Sequence, residues 1–107
     1  MLKFVIVLRR KPDWTHEKFR DYFIGVHAPL AEKIPGLRRY KRNFPMADPK
    51  RRPPDWDCVV EMYFKDKDAM EEAWATPEGK AASADTELLA DMSRSSWSVV
   101  NERVWFP

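Results

Sequence analysis

Leu2, Phe4, Ile6 and Leu8 alternate with Lys3, Val5, Val7 and Arg9 at the start of the chain. A period of two in β-branched and aromatic residues predicts a strand over residues 2–9. Arg10-Lys11-Pro12-Asp13 then reads as a turn, and Thr15 as a helix N-cap. Phe19, Tyr22, Phe23 and Val26 follow at i, i+3, i+4 and i+7, one helical stripe. His27-Ala28-Pro29 is expected to bend the chain, because proline disfavours helical geometry at the residue before it. A short helical piece over 30–34 then ends at Pro35-Gly36. Residues 37–44 predict a second strand, in which Tyr40 stands among Arg38, Arg39, Lys41 and Arg42. Residues 46–56 carry Pro49, Pro53 and Pro54, with Pro45 just before them, and cannot form a regular strand. So long a connection is expected to be a mobile lid or binding loop at a pocket mouth, with Trp56 anchoring one end.

A third strand is predicted over 57–65, with Cys58, Val60, Met62 and Phe64 on one face and Asp57, Val59, Glu61 and Tyr63 on the other. Asp66 caps a helix with Ala69, Met70, Ala73 and Trp74 on its apolar side. Thr76-Pro77-Glu78 restarts the helical pattern, which Ala81, Ala82, Ala84, Leu88, Leu89 and Met92 continue. Residues 96–106 predict a long last strand. The order β-α-β-β-α-β is the ferredoxin-like plan of the α+β class, an antiparallel sheet in one domain over 1–107. Helices cover one sheet face only. The other would expose Val5, Val7, Val59 and Tyr63, so a homodimer that stacks the two open faces is expected.

Composition narrows the function. The 107 residues are 44% hydrophobic and 34% charged, which suits a folded domain and argues against disorder. A net charge of +2 is too small for a domain built to hold nucleic acid. One cysteine, Cys58, excludes an internal disulfide framework and a Cys-rich zinc site. The apolar run over 4–8 is too short for a signal peptide or a membrane span, so a cytoplasmic protein without membrane contact is expected. Five Trp, six Phe and three Tyr imply a ring-filled core or a pocket lined by rings. There is no glycine-rich phosphate loop and no Gly-x-Ser-x-Gly elbow.

The candidate chemistry centres on His27. It stands where an aromatic helix ends and a proline follows, and histidine transfers protons near neutral pH. Its alternative is a structural role at the helix end; haem ligation is the less favoured use of the same ring. Tyr40 could donate a hydrogen bond to a carbonyl or enolate oxygen, or simply pack. Asp57 and Glu61 share a strand face and could divide acid and base work, or pair with basic residues across the sheet. Trp56 and Trp74 are candidate walls for a planar ligand, or ordinary core. Lys50-Arg51-Arg52 reads as a solvated charge run that could draw an anionic substrate to the pocket mouth. His16, in a first helical turn, is expected in solvent.

Four segments together resemble the EthD family, named after a small protein linked to bacterial degradation of a tert-butyl ether fuel additive. They are Lys3-Phe4-Val5-Ile6-Val7-Leu8-Arg9-Arg10-Lys11-Pro12; Thr15-His16-Glu17-Lys18-Phe19-Arg20-Asp21-Tyr22-Phe23; Val26-His27-Ala28-Pro29-Leu30-Ala31 with Ile34-Pro35-Gly36-Leu37-Arg38-Arg39-Tyr40; and Glu61-Met62-Tyr63-Phe64 with Thr76-Pro77-Glu78-Gly79-Lys80-Ala81-Ala82. The resemblance spans nearly the whole chain. It implies a dimeric α+β barrel of two face-to-face sheets, and small-molecule metabolism that is often cofactor-free. Relatives of that barrel include polyketide cyclases, decarboxylases, quinone-forming monooxygenases and a methylmuconolactone methylisomerase. In the last of these, a His and a Tyr occupy places matching His27 and Tyr40. The family often has Asp-Gly entering the third strand, where this chain has Asp57-Cys58. The resulting expectation is a cofactor-free, metal-free isomerase, decarboxylase, cyclase or oxidoreductase acting on an aromatic, lactone or polyketide-like compound. His27 and Tyr40 would be catalytic, and Trp56, Asp57, Glu61 and Trp74 would line the pocket. A non-catalytic small-ligand carrier or accessory protein is the alternative.

Overall fold

In the computed structural model, which describes residues 1–106, the N-terminal alternation forms β1 (Leu2–Leu8). β1 runs antiparallel between β3 (Cys58–Phe64) and β4 (Ser96–Val100), and β2 (Arg39–Asn43) pairs with the far side of β3. The sheet order is β2-β3-β1-β4, all pairs antiparallel, as the ferredoxin-like plan requires. The inward residues Ile6, Leu8, Cys58, Val60, Met62 and Phe64 are buried beneath the helices. On the helix-free face Val5, Val7 and Val59 are half-buried, and Val7 pairs with Val59. Tyr63, on the same face, is buried among cations: Lys3, Arg39 and Lys41 lie 5.6, 5.8 and 5.7 Å from its ring centre.

The last strand is shorter than its sequence suggests. β4 pairs only with β1, and Val100 already faces Lys3, so β1 has almost no residues left to continue the ladder. Residues 101–106 therefore leave the sheet despite their apolar content. The other expected strands lose one to three terminal residues.

The helices follow their caps. Thr15 accepts from the Lys18 N–H and opens α1 (His16–Tyr22); Asp66 accepts from Ala69 and opens α3 (Lys67–Ala75); Thr76 accepts from Gly79 and opens α4 (Pro77–Leu89). Gly79 lets α4 turn tightly against the end of α3, since a Cβ there would collide with the Ala73 carbonyl and lie 2.8 Å from the Trp74 Cα.

The expected bend at Pro29 does not occur. α1 continues through a π-helical turn over Phe23–His27 directly into α2 (Ala28–Ala31), with Ala28 helical at φ −60° and ψ −43°. The Ala28 N–H reaches back five residues to the Phe23 carbonyl, the signature of a widened turn. One extra residue in that turn shifts the inward stripe. Phe19, Phe23 and His27 are buried, whereas Val26, expected inward, is 45% exposed.

Candidate active site

The π turn delivers His27 to the interior. Its ring packs at 5.0 Å from that of Phe23, and only 6% of the residue is exposed. From the opposite helix, α4, the Asp85 carboxylate meets it: His27 Nδ1 donates to Asp85 Oδ2 at 2.8 Å. A carboxylate only accepts, so the ring proton sits on Nδ1 and Nε2 keeps its lone pair. Nε2 has no hydrogen-bond partner among the described residues. The other Asp85 oxygen accepts from the Tyr22 hydroxyl at 2.6 Å. That bond, and then burial, push the Tyr22 phenol up to about 12. Burial lowers the pKa of His27 more than the Asp85 carboxylate raises it. The imidazole is therefore held neutral, in one tautomer, with a free basic nitrogen.

Tyr40 stands on the helix-facing side of β2, opposite Met62. Its hydroxyl is buried and has no hydrogen-bond partner. Burial, opposed by the charge of Arg42 below the ring, holds the phenol far above its ordinary range. A neutral phenol is a donor, and this one is unused. His27, Tyr40 and Trp74 line one cavity of about 120 Å³ between the helices and the sheet. Its rim includes Met92 and Trp97, 41% and 38% exposed.

The other expected pocket residues lie elsewhere. Trp56 and Asp57 line a separate cavity of about 570 Å³, walled by residues 44–48 and 51–54 and by α1 residues that include the buried Phe19, and sharing no lining residue with the first. The proline-rich loop thus borders that larger cavity and not the one beside His27. The Asp57 carboxylate accepts from the Arg10 backbone N–H at 2.8 Å and from its guanidinium at 2.9 Å, and contacts His16 Nδ1 at 2.7 Å. Glu61 lines neither cavity. It sits on the helix-free face, paired with Lys3 at 2.5 Å and accepting from Asn43 at 3.0 Å. Lys3 first, and Asn43 after the opposing cost of burial, hold its carboxyl below the usual range. Asp57 and Glu61 therefore do not act on one site, because each is answered by its own cation.

Sequence reasoning missed Asp85 and Trp97. Asp85 lies three residues after Ala82 and four before Leu89, both buried, so an acid in an apolar helical stripe was its signal. Trp97 alternates with Val99 on the helix-facing side of β4. His16 is exposed, as expected, and its ring also lies 2.7 Å from the Asp57 carboxylate and 3.3 Å from Arg10 Nη1. Among the described residues, no group of three or more His, Cys, Asp or Glu is placed to hold a metal ion. The space beside His27 is too small for a macrocycle. No described helix is long and apolar enough to cross a membrane.

The fold and sequence have known counterparts. An uncharacterized 11.0 kDa protein from the thcB-thcC intergenic region of Rhodococcus erythropolis is 30% identical over 72 residues, 67% of this chain and 69% of that protein. The crystal structure of an ethyl tert-butyl ether degradation (EthD) family protein from Bacillus halodurans matches with a TM-score of 0.80 and 29% identity, covering 96% of this chain and all of the other. SnoaB of Streptomyces nogalater, a cofactor-independent oxygenase, has the same fold at TM-score 0.67 and 19% identity, over 99% of this chain and 96% of its own. A dimeric ferredoxin-like protein of unknown function from Thermobifida fusca matches at TM-score 0.69 and 17% identity, over 92% and 88%. The model of the EthD domain matches residues 11–93, which contain the π turn with His27, the strand with Tyr40 and the helix with Asp85. With most of its length and its best-formed buried polar cluster inside that match, the chain belongs to the EthD family.

Proposed function

We propose that this protein is an enzyme that works without a cofactor on a small carbonyl-containing compound of the aromatic, lactone or polyketide-like class. His27 acts as the general base. Its Nε2 takes a proton from a carbon or hydroxyl next to the substrate carbonyl, and Asp85 steadies the imidazolium that results. The Tyr40 hydroxyl donates to the oxyanion that develops as the proton leaves. The supporting observation is the pairing of two unused groups on one cavity: a neutral imidazole with a free nitrogen and a buried phenol with no partner. About 120 Å³ equals the share of roughly four waters in the liquid, enough for the reactive end of a substrate whose remainder extends past Trp97. Proton abstraction of this kind begins isomerisations, cyclisations and cofactor-free oxidations alike, and SnoaB lends its fold to the last of these.

The same reading includes a homodimer through the helix-free sheet face. Half-buried Val5, Val7 and Val59 support it, as does the dimeric state named for the Thermobifida fusca protein. The buried, unpaired Cys58 suits a cytoplasmic setting.

The test begins with a thermal-shift screen of carbonyl metabolites against the wild type, since a specific ligand stabilises the folded state. A compound that raises the melting temperature is then followed for turnover. His27→Ala should abolish turnover while retaining binding. Binding with no turnover in the wild type would instead make the protein a ligand carrier.

A further inference from the structure

The larger cavity is built differently from the site of His27. Its volume, about 570 Å³, lies within the ordinary range for whole small molecules, which the smaller cavity does not reach. Its walls mix charged side chains with flat apolar groups: Phe19, Phe44, Pro53 and Trp56. Its charges do not cancel locally. Asp57 is answered by Arg10 at 2.9 Å and His16 at 2.7 Å, and Asp48 by Arg51 at 2.8 Å. Arg20 and Arg52 line the same cavity and make no ion pair among the described residues, against a single unpaired acid, Glu17. Asp57 is 4% exposed, accepts two hydrogen bonds from Arg10 and lies 2.7 Å from His16 Nδ1, so its charge is already answered within the wall.

We propose that this cavity is a second binding site, for a small carboxylate with a flat apolar body, whose carboxylate meets Arg20 and Arg52 while its body lies against Trp56 and Phe44. Arg20 comes from α1 and Arg52 from the 46–56 loop, and each guanidinium by itself presents the planar fork of donors that a carboxylate accepts. The proline-rich loop has little backbone freedom to lose when a ligand orders it. Phe23 separates the two sites. Its ring lies 6.0 Å from Phe19 and 5.5 Å from Phe44 on one side and 5.0 Å from His27 on the other.

The test is calorimetric titration of the whole chain with 2-naphthoate and with its uncharged counterpart 2-naphthamide. The wild type should bind naphthoate saturably and roughly tenfold or more tighter than the amide, because hydrogen bonds to charged groups are the stronger ones. Arg20→Gln with Arg52→Gln should lower naphthoate to the level of the amide. Both arginines are exposed, so the double variant keeps the fold. Trp56→Leu should weaken both probes. Tyr40→Phe should change neither, which separates this site from the one beside His27. Equal affinity for the two probes would overturn the proposal. So would binding lost in Tyr40→Phe and insensitive to the arginines, or no saturable binding at millimolar naphthoate.

Discussion

Asp85 Oδ2 and His27 Nδ1 lie 2.8 Å apart although 58 residues separate them in the chain. Both are nearly buried, and each arrives on a different helix. The contact sets the tautomer of the imidazole, and the tautomer leaves Nε2 as the basic atom.

The pH dependence follows from that contact. Burial lowers the pKa of His27 below that of an unfolded histidine, about 6.5. The unfolded chain then binds more protons, so the stability contributed by neutral His27 is complete above about pH 6.5 and is lost as pH falls towards the folded value. Turnover that uses Nε2 as a base should show an acid limb with its midpoint below 6.5. The Asp85 carboxylate opposes the shift, so Asp85→Asn should move that midpoint lower still and reduce the plateau rate. A pH–rate profile on both proteins checks this. A midpoint that rises in Asp85→Asn would contradict it.

Tyr40→Phe removes a buried hydroxyl that has no partner. A structural hydrogen bond would cost stability when deleted; this deletion should leave the unliganded protein as stable, or more stable by about 1 kcal/mol. Turnover should fall about 10²–10³-fold, as for loss of one oxyanion donor. Denaturant unfolding and initial rates measure the two effects. A loss above about 2 kcal/mol would show that the hydroxyl has a structural partner.

Phe23 is fully buried and touches Phe19, Phe44 and His27. Phe23→Ala should cost about 3–5 kcal/mol, the usual range for an aromatic core truncation. It should also connect the two cavities, so that ligands at one site compete with ligands at the other. Chemical denaturation reports the first effect. A loss under about 1 kcal/mol would mean that the neighbouring rings collapse into the gap.

Val7 lies on the helix-free face of β1, opposite Val59 of β3. In the proposed homodimer, Val7→Asp places an unpaired charge between two sheets. Light scattering should show a dimer for the wild type, with a buried area of about 1,200–2,000 Å² or more. The variant should be monomeric or insoluble. A monomeric wild type at micromolar concentration would end the dimer reading.

The element order was legible because local physics sets it. Alternation in residues 2–8, the caps Thr15, Asp66 and Thr76, and the Pro35-Gly36 stop act over a few residues each. The β2 parity that turns Tyr40 towards the helices follows the same period of two. What the sequence left undecided depends on distant partners. The end of β4 is set by the length of β1, not by the apolar residues 101–106. Whether Asp57 and Glu61 cooperate is set by Arg10 and Lys3, residues of the first strand and its turn. His27 faces inward in place of Val26 because a π turn adds one residue to the helix, and its proton is placed by an acid from a helix it meets only in the folded chain. Spacing along a chain specifies which side of an element a residue occupies. Only packing decides which charge it meets there and which cavity it borders.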